Sequence, residues 1–505
     1  MILSVTNQIG ESQSWKDLPW KKFERHLFGL QSRLFKAAQI GDKKKIKSLQ
    51  NLIARSDSTR YISIRQVTQL NQGKRTKGVD GKSNLTEEER MSLAQELKNN
   101  WSSWKPSFLR SVKIPKKNGK MRVLKIPTIR DRAWQCLAKN IIEPAHEAHF
   151  DERSYGFRPG RSCHDAQKFI FQNLNSNANG NRKLILELDI EKCFDKINHN
   201  SIMEKVIAPG KLKLGIFRSL KKGVSLEFPE QGTPQGGVIS PLLSNIVLNG
   251  IEKIHKSVRY ADDMIFILKE GENPKAVLNK VKEFLEKIGL KINEEKTKIT
   301  SAKIGFNFLG WHFVSQRNGI CRITPSKENF EKCREKLKNI ISNSSLDVEN
   351  KVIQLSRIVR GWRNYHKYCH LKAPHTLWHL EAATVKAFRT KGNTLAKAIQ
   401  SKEEAFPKVA QQEGRFIQVK GKKSPYDGDM IYWSKRNSKN YSGFTAMALQ
   451  KQHHSCHECK HIFWGDESVQ LHHVDWNHAN WKRENLVAVH KHCHDKLHRH
   501  RVAKQ

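Results

Sequence analysis

Two aspartates stand side by side in "VRYADDMIFI" (258–267), inside a run that otherwise reads as a buried strand. A carboxylate in such a run needs a cationic partner, a metal or the surface, because burying it alone is costly. Asp-Asp also suits a tight turn, so Asp262 and Asp263 by themselves do not decide between a turn and a metal site. A third acid sharpens the choice. "LELDIEKCFDKINH" (186–199) ends an apolar strand with Asp189. One aspartate at a strand end and two in a hairpin turn converge if their strands are neighbours in one sheet. Their charges would repel without divalent cations between them, and two Mg²⁺ ions about 4 Å apart would meet that need. Mg²⁺ favours few carboxylates, several waters and a substrate's phosphates.

A second constellation closes the chain: "CHECKHIFWGDESVQLHHVDWNHANWKRENLVAVHKHCHDKLHRH" (456–500). Cys456-x-x-Cys459 and His490-x-x-Cys493 have the paired spacing of a tetrahedral Zn²⁺ site. Thiolates suit a structural ion, and so small a domain needs one to fold. His472, His473 and Asn485 lie between the pairs, with His494 and His498 just beyond. The other six of the nine cysteines are scattered, as reduced thiols are.

Elements must position these groups. "RKLILELDI" (182–190), "SVRYADDMIFIL" (257–268) and "FNFLGWHFV" (306–314) read as strands. Between the last two a helix is well marked. Asn273 caps it, Pro274 opens it, Val277, Leu278, Val281, Phe284, Leu285 and Ile288 share a face, and Gly289 ends it. Strands bearing acids alternate here with helices, so an α+β core is expected. After residue 316 the pattern is helical. Phe330, Cys333, Leu337, Ile340 and Ile341 form one stripe, and Val348, Val352, Leu355, Ile358, Val359 and Trp362 another. Residues 1–60 are helical and basic, and 401–448 are poor in periodicity and read as a loosely structured basic module.

Lysine and arginine number 91 against 49 acidic residues, a net charge of +42 spread along all 505 residues. That predicts a polyanionic partner, nucleic acid first, with binding that weakens as salt rises. No stretch of ~18 apolar residues offers a membrane span. The N-terminus lacks the order of a secretory or transit segment, so a cytoplasmic protein is expected.

Several blocks, in order, carry a family resemblance. "YADD" and "LDIEKCFDKINH" stand with "SYGFRPGRSCHDA" (154–166), "QGTPQGGVISPLLSNIVL" (231–248), "LKINEEKTKI" (290–299) and "FNFLGW" (306–311). Upstream lie "RQVTQLNQGKRTKGVDG" (65–81) and "KIPTIRDRAWQ" (125–135), and downstream "GWRNYHKY" (361–368). Together they resemble the reverse transcriptases encoded by bacterial group II introns. The resemblance implies a right-handed polymerase in five parts. These are an N-terminal extension (1–60), fingers and palm (61–315), a helical thumb or maturase domain (316–400), a basic DNA-binding region (401–448) and a zinc-stabilised ββα nuclease (449–505).

By that resemblance Asp189, Asp262 and Asp263 hold Mg²⁺. Phe194 disfavours a ribose 2′-hydroxyl, and Gln235 touches the incoming nucleotide. Lys116 and Arg122, in "KIPKKNGKMR", hold its triphosphate, with neighbouring lysines as alternatives to Lys116. Lys296 is a candidate proton donor to pyrophosphate, and Leu309 and Gly310 grip the primer. The C-terminal segment resembles the His-Asn-His (HNH) endonucleases. This implies His473 as general base, His472 and His494 as ligands of one catalytic divalent ion, and Asn485 as the residue that orients the loop. His498 is either a third ligand or a surface histidine. The third zinc position falls to His490, with His492 as the alternative.

The implied function is threefold: RNA-directed DNA polymerase, maturase aiding intron RNA splicing, and endonuclease that nicks target DNA to prime copying. Intron RNA, target DNA and dNTPs would be the partners. A splicing-only maturase with a vestigial polymerase, and a defence-type reverse transcriptase, are the alternatives.

Overall fold

Phe23, Leu27, Leu30, Leu34 and Ala38 fall on one buried stripe of helix α1 (Trp20–Gln39). In the computed structural model, which describes residues 14–115, 121–223, 230–371, 375–389, 393–441, 443–461, 463 and 469–502, that stripe faces the same core as the strands that carry the aspartates. Helices α2 (Lys43–Arg55) and α3 (Asp57–Arg65) follow, then α4 (Glu87–Asn100), opened by a Thr86–Glu89 capping box. An antiparallel hairpin, β1 (Arg110–Pro115) and β2 (Met121–Ile126), leads into the buried α5 (Ile129–Glu147).

Helix α6 (Cys163–Leu174) precedes β3 (Leu184–Leu188). Then come α7 (Cys193–Lys196), α8 (His199–Lys205), α9 (Gly210–Gly223) and α10 (Ser240–Leu248). Strands β4 (Ser257–Tyr260) and β5 (Asp263–Leu268), helix α11 (Pro274–Glu286) and β6 (Lys298–Ser301) complete the region. The four strands form an antiparallel sheet in the order β4-β5-β3-β6. Both faces are covered. Leu186, Leu188, Met264 and Phe266 join the core shared with α1, while Ile185, Ile265 and Ile267 join a second core beneath α6. That is why central strand β5 runs apolar from Met264 to Leu268 rather than alternating.

A second sheet holds β7 (Phe306–Phe308), β8 (Trp311–Ser315) and β9 (Cys321–Pro325). Helices α12 (Lys327–Ser342), α13 (Val348–His366), α14 (Trp378–Phe388) and α15 (Leu395–Ala405) then build a bundle with its own core. Two further helices, α16 (Met430–Lys439) and α17 (Gly443–Lys451), lead to the last unit, β10 (Val469–His473), β11 (Leu486–His490) and α18 (Lys491–Val502). No described helix is long and apolar enough to cross a membrane.

The expected boundaries shift. Residue 60 lies within α3, whose Tyr61 and Ile64 pack into the core shared by α1 and the palm, so the N-terminal helices do not form a separate extension. The break at 315 separates β8 from its partner β9. The break at 400 cuts α15, whose Ala398 and Ala405 belong to the bundle core, and the break at 448 cuts α17, whose Ala448 and Leu449 belong to the C-terminal core. Nor is 401–448 loosely structured. Asp165 on α6, fully buried, pairs with Arg436 at 2.8 Å and accepts the backbone N–H of Val419 at 2.7 Å, tying the segment to the palm.

Candidate functional site

Strand pairing brings the acids together. Leu188 lies opposite Met264 in the antiparallel register of β3 and β5, so the next step sets Asp189 beside Asp263. The β4–β5 turn is tight, with Ala261 at φ +59°. Beneath it Arg259 and Glu252, both fully buried, form an ion pair of 2.6 Å, and Arg259 Nη1 donates to Ala261 O at 3.2 Å. Desolvation, then the charges of Asp262 and Asp189, push the Asp263 carboxyl up to about 6 against the opposing pull of Lys296. Lys296 Nζ lies 3.1 Å from Asp189 Oδ2. The three carboxylates are neighbours without crowding onto one point. Among the described residues, only two C-terminal groups gather three or more donors within 4.8 Å of one another. A divalent cation among such carboxylates would offset the repulsion that raises Asp263. The donor set fits magnesium.

Around the acids, Phe194 on α7 is half-buried, and its carbonyl accepts the N–H of Thr233 at 2.6 Å. Gln235 donates from Nε2 to Asp195 Oδ1 at 3.2 Å, and its carbonyl accepts the N–H of Lys125 on β2 at 3.0 Å. Strand β2 is thus tied to the loop that carries Gln235. Lys116 lies outside the described residues; Arg122 is on β2 opposite Ile114, with its side chain outside them. Leu309 and Gly310 form the turn between β7 and β8. Asp195 and the Arg259–Glu252 pair were not read from the sequence. Asp195 directly follows Phe194, and Arg259 is a charge in an apolar strand, a signal of the same kind as Asp262.

The C-terminal unit is built around two clusters. Cys456, Cys459, His490 and Cys493 are all buried, with ligand atoms within 4.8 Å of one another. Cys459 Sγ is 3.2 Å from His490 Nδ1. Hydrogen bonds from Cys459 and Cys493 drive the Cys456 thiol far down, while Cys493 is driven up. His490, not merely its neighbourhood, stands with the cysteines; the His492 side chain is outside the described residues.

His472, on β10, gathers with His494 and His498 on α18. His498 is turned inward, its Nε2 3.2 Å from His494 Nε2. Burial, then the neighbouring imidazoles, lowers His472 to about 4, so it is neutral near pH 7, as a metal ligand must be. His473 is 6% exposed, and its Nε2 has no hydrogen-bond partner among the described residues. Asn485 braces the loop after it: its Oδ1 accepts from Asp475 N at 2.9 Å, and its Nδ2 donates to Asn480 O at 2.8 Å.

Comparison with known proteins matches residues 114–313 to the reverse transcriptase (RNA-dependent DNA polymerase) family. Residues 15–97 match the N-terminal domain of reverse transcriptase, and 330–392 the group II intron maturase-specific domain. Maturase-like protein 1 of Euglena gracilis is 38% identical over 387 residues, 76% of this chain and 84% of its own. Group II intron-encoded protein LtrA of Lactococcus lactis subsp. cremoris is 27% identical over 370 residues, 56% of this chain and 61% of its own. A telomerase structure from Candida albicans aligns over 61% of this chain and 62% of its own at 13% identity, with a TM-score of 0.31, too low to bear on the fold. Polymerase and maturase regions in one chain, together with the extent of the Euglena match, identify it: the protein belongs to the reverse transcriptase and maturase family of group II intron-encoded proteins.

Proposed function

We propose that this protein copies intron RNA into DNA, assists the splicing of that RNA, and nicks the DNA target that primes the copy. The meeting of Asp189 with Asp262 and Asp263 across the β3–β5 register carries the polymerase reading. These acids would hold magnesium, which when bound offsets the charge that builds as a primer 3′-hydroxyl attacks and pyrophosphate leaves. Phe194 shuts out a 2′-hydroxyl, so deoxynucleotides are selected. Gln235 contacts the incoming nucleotide, Lys116 and Arg122 fix its triphosphate, and Leu309 and Gly310 seat the primer end. Lys296 stands ready to protonate the leaving pyrophosphate. The basic N-terminal helices and thumb bind structured RNA by shape and phosphate contacts, stabilising its active fold. Residues 401–448 contribute to DNA contact.

Nicking rests on the buried, unpartnered Nε2 of His473 beside three converging histidines. His473 takes a proton from the attacking water, and Asn485 orients its loop. His472, His494 and His498 would hold a divalent ion that steadies the scissile phosphate. Cys456, Cys459, His490 and Cys493 would hold a structural zinc that ties the unit together.

The test is a target-DNA nicking assay run beside primer extension on an RNA template. His473→Ala is expected to cut nicking at least about 100-fold, the contribution of a general base, with extension unchanged. Retained nicking would defeat the nuclease assignment.

A further inference from the structure

The turn between β7 and β8 is held against its own preference. Leu309 and Gly310 both have positive φ, +49° and +80°, the geometry of a two-residue turn that favours Asn followed by Gly. A leucine there brings its Cβ against a carbonyl oxygen, and such a residue persists only where its surroundings impose it.

The imposing contacts come from the thumb. Tyr365 Oη on α13 donates to Leu309 O at 2.7 Å. Ser326, the cap of α12, donates its backbone N–H to Gly310 O at 2.9 Å. The Tyr365 ring lies flat on Trp311, the first residue of β8, with centroids 4.5 Å apart and planes 4° from parallel. His164 on α6 packs against both rings and bonds to Tyr365 O at 2.8 Å. Next to Tyr365, His366 bonds Asn329 Oδ1 at 3.1 Å, and Asn329 Nδ2 lies where a Cβ on Gly310 would meet it at 2.7 Å. Palm, thumb and turn therefore meet at one tyrosine. Its ring accounts for the packing; its hydroxyl donates to Leu309 O and also meets the Cys163 side chain.

We propose that Tyr365 is a positioning residue for polymerisation. Its hydroxyl fixes the Leu309–Gly310 turn, so that the thumb's seat on the primer–template duplex sets where the primer end lies relative to Asp189, Asp262 and Asp263. This rests on the primer-gripping role proposed above for the turn.

The test uses the full-length chain in steady-state single-nucleotide extension of a DNA primer annealed to RNA. Tyr365→Phe keeps the stacked ring and removes the hydroxyl's bonds to Leu309 O and Cys163; the Leu309→Asn background separates the two. It should raise the KM for primer–template by about three- to tenfold, with kcat within about twofold. Leu309→Asn supplies the residue the turn prefers. In that background Tyr365→Phe should change KM by less than about twofold, because the turn no longer needs the hydroxyl. Gly310→Ala, driven into Asn329, should raise KM by itself. An equal effect of Tyr365→Phe in both backgrounds overturns the proposal, since the hydroxyl would then act elsewhere. So does a fall in kcat alone, or a drop in thermal midpoint that accounts for the loss. If Gly310→Ala raises KM and Tyr365→Phe does not, the gripping role stands and the proposal fails. If neither changes KM, the gripping role fails with it.

Discussion

Arg259 is the residue on which the Asp262–Asp263 turn stands. Its guanidinium is fully buried, bonded through Nε to Glu252 Oε1 at 2.6 Å and through Nη1 to Asn245 Oδ1 at 2.8 Å and to Ala261 O. Removing one member of such a pair leaves a charge without water or partner, at a cost of about 3–5 kcal/mol. Glu252→Ala should therefore lower the urea midpoint by a corresponding amount and weaken extension even where the chain remains folded. An unchanged midpoint would show that Arg259 finds another partner. Asp189, Asp262 and Asp263 were legible in the sequence because carboxylates stand out in apolar strands and because ordered blocks surround them. Arg259 and Glu252 were equally out of place yet passed unread. The reason is physical: a buried ion pair forms between residues whose pairing depends on how a strand and the turn before it fold together, and no spacing rule encodes that. The partnership of Asp195 with Gln235 was hidden in the same way.

At the scale of elements, the helix between Pro274 and Glu286 was fully legible. Its cap, its apolar stripe and its terminating glycine, Gly289 at φ +75°, are local signals. Residues 401–448 were not. Periodicity reports only packing by apolar stripes, whereas this segment is held by polar groups. Asp165 accepts from Ser162 N and Oγ, Val419 N and Arg436 Nη2, while Gln418 Nε2 donates to Tyr155 Oη and Tyr426 Oη to Glu143. The tie spans more than 250 residues of sequence, beyond any windowed pattern. Asp165→Ala would strand Arg436 and is expected to destabilise this junction by about 3–5 kcal/mol. Limited proteolysis should then cut within 410–440 much faster than in the unaltered protein, with the polymerase core persisting as a fragment. Equal cleavage rates would show that the segment is held by its remaining contacts.

Across the whole molecule, the reverse transcriptase and maturase regions follow one another in the expected order, and the N-terminal helices share a core with the aspartate-bearing sheet. The N-terminal helices and the palm are one packed unit, and the C-terminal unit touches α1 and α16: Arg25 on α1 bonds His461, and Asn437 on α16 donates to Phe463 O at 3.4 Å. A net charge of +42 makes long-range attraction to nucleic acid a property of the entire surface rather than of one tail. The proposed chemistry is nonetheless concentrated at two places, the palm first. Primer extension with dNTPs on an RNA template, comparing the unaltered chain with Asp262→Ala plus Asp263→Ala, tests it most directly. Magnesium-dependent DNA synthesis is expected, reduced by the double substitution at least about 1,000-fold, as when groups holding catalytic ions are removed. Equal synthesis by both proteins would contradict it.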